Sequence, residues 1–231
     1  MQPELQTANT GYGSIAASPE SQKVLRNTYM LLALTMVPTV AGAYLGIQFA
    51  PMMMASPILT MVLMLASLFG LQFAIFRYRD SAIGVGLLLL MTFLLGAFIG
   101  PLLNVALQLK NGVQLVGYAA AGTGAIFFGM GALAATIKRD LSFMGKFLFV
   151  GMIAVFFAGI ANAFLQIPVL GLVLSTLVLV IFSLYLLYDL NRIIRGGETN
   201  YVIATTGVYL SLLNIFTSLL HLLMGFAGDR D

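Results

Sequence analysis

Seven apolar stretches, separated by short polar breaks, fill most of the chain: approximately Thr28–Phe49, Met53–Phe76, Ala82–Leu109, Val113–Ile137, Phe143–Leu165, Ile167–Tyr188 and Tyr201–Phe226. Each is long enough to cross a bilayer as a helix, which takes about 20 residues. The pattern therefore predicts an all-α polytopic membrane protein. Three of the breaks are very short: Ala50-Pro51-Met52, a turn at Lys110-Asn111-Gly112, and Gln166 before Ile167. Such connections force antiparallel neighbours and leave no room for a domain on that side. Met1 to Ser21 is polar and poor in large apolar residues, so 1–21 reads as a disordered cytoplasmic tail and 22–231 as the seven-helix domain. Ser18-Pro19 offers an N-cap followed by proline at the first helical position, so helix is expected to begin before the membrane does. The tail has no basic stretch ahead of a short apolar core, which leaves the first span as the insertion signal.

Composition agrees with the pattern: 60% of residues are hydrophobic and 8% charged. The absence of cysteine excludes disulfides and thiolate metal sites. Eleven basic against eight acidic residues is too small an excess to imply nucleic acid, and the basic residues flank the spans. Lys23, Arg26, Arg77, Arg79, Lys138, Arg139, Lys146, Arg192 and Arg195 fall on one side, Lys110 and Arg230 on the other. A nine-to-two split that alternates at every loop predicts a cytoplasmic N-terminus and an external C-terminus.

Candidate chemistry is sparse. Asp189 lies between two spans, followed by Arg192, Arg195 and a Gly196-Gly197 break. An acid so close to hydrocarbon is expensive, and two readings stand side by side. It is a titratable group on a polar path between helices, or it pairs with Arg192 one turn on and reaches the headgroups. Gly42-x-x-x-Gly46 and Gly96-x-x-x-Gly100 allow close helix approach, most simply as packing inside one bundle. His221 has no second histidine, cysteine or nearby glutamate with which to form a metal or catalytic cluster. Met52-Met53-Met54 reads as apolar filler, because consecutive methionines point in different directions on a helix. Gly122-x-Gly124 lies in an apolar segment with no preceding strand, which excludes a nucleotide loop. Tyr188-Asp189 resembles half of an intramembrane aspartyl protease pair, but Asp229 and Asp231 lie a span away, roughly 30 Å. No catalytic residue, resident metal or cofactor is expected.

Five motifs carry a family resemblance: Lys23-Val-Leu-Arg-Asn-Thr-Tyr29, Gly96-Ala-Phe-Ile-Gly-Pro-Leu-Leu-Asn104, Lys138-Arg-Asp-Leu-Ser-Phe143, Leu187-Tyr-Asp-Leu-Asn191 and Gly196-Gly-Glu-Thr-Asn-Tyr201. In this order the chain resembles the Bax inhibitor-1 family. The first and last motifs together are similar to a bacterial inner-membrane branch of it. The resemblance implies six helices around a central seventh, in a multi-pass protein of the bacterial inner membrane. It also implies two functional themes. One is association with the membrane-anchored AAA protease FtsH, as modulator and substrate, and this is the role expected here. The other is a pH-sensitive calcium leak, in which two aspartates on the last two helices share a proton and latch to an arginine. Asp189 matches the first aspartate and would be the calcium-path residue. The second position reads Tyr209-Leu-Ser-Leu-Leu-Asn214, so Ser211 replaces the acid and the like-charge coupling is lost. Asp189, Ser211 and Asn214 could still line a polar seam, with Arg77 or Arg79 resembling the latch.

Overall fold

The computed structural model describes residues 18–228. The segment read as a tail lies almost wholly outside them, as do Asp229, Arg230 and Asp231. Eight helices follow one another: α1 (Pro19–Ala55), α2 (Pro57–Arg77), α3 (Ala82–Phe98), α4 (Gly100–Gln108), α5 (Gly112–Thr136), α6 (Ser142–Leu165), α7 (Pro168–Ile194) and α8 (Tyr201–Gly228). α3 and α4 together form one span, so among the described residues seven helical spans are long and apolar enough to cross a membrane.

Local chemistry sets the helix ends. Ser18 Oγ accepts from the Ser21 N–H at 3.1 Å, with Pro19 at the first position and Glu20 in the first turn of α1. Proline also opens α2 and α7. The lipid-facing surface is apolar all round: Phe73 is 77% exposed and Phe147 76%. Such a surface is stable in hydrocarbon and would not be in water.

The first break differs from the sequence expectation. α1 runs straight through Ala50-Pro51-Met52 to Ala55, and the chain turns at Ser56. Proline at position 51 deprives the Ile47 carbonyl of its helical donor. The Asn104 amide supplies a replacement from α4, with Nδ2 donating to Ile47 O at 3.4 Å. A proline that looked like a helix end is thus accommodated by a neighbour. The sixth span also runs further than its apolar stretch, to Ile194, which places Asp189 inside the helix.

α1 and α3 meet backbone to backbone, and all four glycines lie at their crossing. A Cβ added at Gly42 would collide with the Phe93 carbonyl, at Gly46 with the Ala97 carbonyl, at Gly96 with the Thr39 carbonyl, and at Gly100 with the backbone of Gly46. Close approach of this kind replaces the hydrophobic drive that helix association lacks in lipid.

α8 packs against every other helix except α6, which reaches the bundle through α7 alone. Along α8, Val202, Val208, Tyr209, Ile215 and Leu220 are buried. The Tyr209 hydroxyl donates to Thr92 O at 3.2 Å and lies 3.0 Å from Thr39 Oγ1, joining α8 to both α1 and α3.

The glycine crossing gives a direct test. Gly96→Val forces the two backbones apart and should lower stability by about 1–3 kcal/mol, the usual cost of overpacking. Gly86→Ala, where the added methyl meets nothing within 4 Å, should leave stability unchanged or slightly raised. Thermal melting in detergent distinguishes the two, and equal melting temperatures would contradict the crossing.

Candidate functional site

The fifteen residues from Leu187 to Tyr201 end one helix, begin the next and hold two other connections in place. α7 stops with a Schellman arrangement: Gly197 N donates to Arg192 O at 2.9 Å and Gly196 N to Ile193 O at 3.1 Å. Gly196 takes φ +74°, a conformation that glycine adopts at no steric cost. Arg192 then folds back over the turn. Its Nε donates to Gly197 O at 3.1 Å, and its Nη2 lies 3.1 Å from Glu198 Oε2. The other Glu198 oxygen accepts from Asn200 N at 3.0 Å.

Asn200 caps α8, its Oδ1 accepting from the Val202 and Ile203 amides at 3.0 and 3.1 Å. Its Nδ2 reaches the turn after α2, donating to Asp80 Oδ1 at 2.7 Å and Arg79 O at 3.1 Å. On the other flank, Asn191 Oδ1 accepts from Leu141 N at 3.3 Å, and Arg195 Nη2 donates to Ile137 O at 2.8 Å. The connections at 78–81 and 137–141 are therefore tied to one motif.

Asp189 occupies the centre of this region and stays outside its bonding. Among the described residues it makes no hydrogen bond or ion pair. Its carboxylate rests on Gly207 of α8, where an added Cβ would lie 2.9 Å from Oδ2. Beside it opens a cavity of about 380 Å³ bounded by Phe69, Gln72, Phe73 and Phe76 of α2, by Arg192 and Ile193, by Glu198, and by the first turns of α8. Gln72 is one of the lining residues, and its Oε1 atom is covered by protein without a hydrogen-bond partner.

The other residues singled out in the sequence lie elsewhere. Ser211 is 2% exposed and one turn beyond Gly207, and it does not line the cavity. Asn214 Nδ2 donates to Leu210 O at 2.8 Å within its own helix. The Arg77 guanidinium stacks 5.9 Å from the Tyr78 ring centre. Arg79 lies 4.8 Å over Phe76 and 3.6 Å from Asp80. Neither arginine borders the cavity. The pairing of Asp189 with Arg192 is also absent, since Arg192 is engaged by Glu198. His221 Nδ1 meets Ser175 Oγ at 2.8 Å, joining α7 to α8 away from Asp189.

Gln72, Glu198 and Gly207 went unassigned in the sequence reading. Gln72 carried a legible signal, as the one amide in the apolar run Met53–Phe76. Glu198 lies in a motif that was recognised without a role being given to its acid. Gly207 could be identified only from the packing of α7 on α8.

Comparison with known proteins places this geometry in context. The family described as Inhibitor of apoptosis-promoting Bax1 matches residues 21–228. A membrane protein of Vibrio cholerae is 39% identical over 96% of this chain and 97% of its own length. The Escherichia coli protein named Modulator of FtsH protease YccA is 39% identical over 91% of this chain and 93% of its own. Its counterpart from a second Escherichia coli strain, named Inner membrane protein YccA, matches equally.

The role of Asn200 is open to test. Asn200→Ala removes both the α8 cap and the tie to the 78–81 turn, and should cost about 1–2 kcal/mol. The exposed neighbour Thr199 serves as control, with Thr199→Ala close to neutral. Thermal melts of the two variants that coincide would show that the clamp carries no stability.

Proposed function

The chain belongs to the Bax inhibitor-1 family, and from that premise we propose that it is a bacterial inner-membrane modulator of the FtsH protease. The observation that carries this reading is the relative named for that activity, similar along almost the full length of both chains. In this reading the protein is an interaction partner and protease substrate rather than an enzyme. The polar N-terminal segment serves as the handle and the lipid-facing helices supply the membrane contact. A segment of about 20 residues reaches roughly 60 Å when drawn out, enough to enter the pore of a AAA protease.

A proton-sensitive calcium leak is the second reading, and the unpartnered Asp189 favours it. Ser211 weighs against it, because no acid stands on α8 where the two-aspartate mechanism needs one. Calcium flux in liposomes that Asp189→Asn abolishes would favour the leak; no flux from the parent protein would remove it.

Two measurements test the main reading. Deleting Gln2 to Ala17 should leave membrane insertion intact, weaken co-purification with FtsH and slow degradation by it. Degradation as fast as that of the full chain would show that the tail is not the handle. The reading also needs that tail on the protease side. Reporter fusions before Pro19 should be active only as cytoplasmic reporters and fusions after Asp231 only as external ones. An internal C-terminus would contradict the charge argument.

A further inference from the structure

We propose that the cleft between α2 and α7 binds one bilayer phospholipid bearing a primary-ammonium headgroup, with its acyl chains lying along the phenylalanines of α2. The cleft exists because the backbones of these two helices stand apart: no Cα of one comes within 8 Å of the other, and α8 forms the floor between them. Its outer wall is apolar and faces the bilayer, with Phe69, Phe73 and Phe76 exposed to 62%, 77% and 60%. Its inner end is polar. One cavity thus combines an acyl-chain wall with a headgroup pocket.

The pocket selects the sign of its ligand. Asp189, Glu198 and one guanidinium, that of Arg192, line the pocket, and the guanidinium is engaged by Glu198, so the Asp189 carboxyl is left without a direct ion pair. A carboxyl beside hydrocarbon ionises at a high cost, and a cationic ligand offsets that cost while an anionic one adds to it. Hydrogen-bonding capacity narrows the choice further. A primary ammonium carries three donors, for the Asp189 carboxylate and for a Gln72 side chain turned toward the cavity, whose Oε1 has no donor within the protein. A trimethylammonium group carries none. The phosphate of a zwitterionic headgroup would then face Arg192 at the mouth.

Depth and size agree. Asp189 precedes Arg195, at the end of α7, by six residues, which places it about 9 Å inward of that arginine, below the headgroup layer and within reach of it. The 380 Å³ volume accommodates roughly a dozen water-sized units, ample for a headgroup but not for two acyl chains, which the exposed phenylalanines would carry. This inference stands apart from the protease reading and survives its failure.

The test uses the full-length protein reconstituted with equal amounts of phosphatidylethanolamine, phosphatidylcholine and phosphatidylglycerol, with retained lipid read by native mass spectrometry. Phosphatidylethanolamine should be retained on the order of tenfold over phosphatidylcholine, the effect of one charge-assisted hydrogen-bonded contact. Asp189→Asn and Gln72→Leu should each reduce that preference, and Ser211→Ala should not. Equal retention of the two zwitterionic lipids, preferential retention of phosphatidylglycerol, or a preference that survives both Asp189→Asn and Gln72→Leu would overturn the proposal. The headgroup comparison on the unaltered protein decides the matter even if Asp189→Asn does not fold.

Discussion

In hydrocarbon there is no water to satisfy a backbone donor or acceptor, so every irregularity in this bundle must be answered by another part of the protein. Pro51 illustrates the constraint. It frees the Ile47 carbonyl, and Asn104 on a different span donates to it. The break between α3 and α4 lies on the same neighbour by close packing, because Gly100 there sits directly on the backbone of Gly46. The two spans with disturbed hydrogen bonding are thus the two that pack most tightly. Glycine removes the side chains that would hold them apart, and the resulting proximity lets one helix repair the other.

The spans were legible in the sequence because the signal is physical and long: about 20 apolar residues bounded by polar breaks cannot be much else. The break after the first span was misplaced for a reason equally physical. A proline ends a helix only if its freed carbonyl goes unanswered, and the donor that answers it lies 57 residues away. The role of the four glycines was legible as spacing, while their partners, Phe93, Ala97 and Thr39, depended on how α1 and α3 cross. The site was harder still. Asp189 stood out as an acid among apolar residues, whereas the significance of Gly207 comes from having no side chain where Asp189 needs room.

The resemblance that singled out Asp189 does not fix its surroundings. Ser211 is buried on α8, but the residue that Asp189 touches is Gly207, one turn earlier. The arginines read as a possible latch are turned to local partners, Arg77 to Tyr78 and Arg79 to Phe76 and Asp80. What remains around Asp189 is an open cleft in place of a sealed acid pair. The separation of the α2 and α7 backbones, with no Cα pair within 8 Å, decides this.

The unpaired state of Asp189 follows from how its helix ends. On an undisturbed helix surface Arg192 is the natural partner, three residues on and within reach. The Schellman turn changes the competition by bringing Gly197 O and Glu198 over that arginine, one accepting from Nε and the other pairing with Nη2. Two acceptors in fixed positions outweigh one carboxylate on the same helix, because the guanidinium presents its donors as a rigid fork. Glu198 is itself held by the Asn200 amide, and Asn200 is held by the start of α8 and by the turn after α2. The motif that joins the last two helices therefore keeps the guanidinium from a direct ion pair with the acid. The same bonds that tie the 78–81 and 137–141 connections to the end of α7 leave the Asp189 carboxyl without a direct partner.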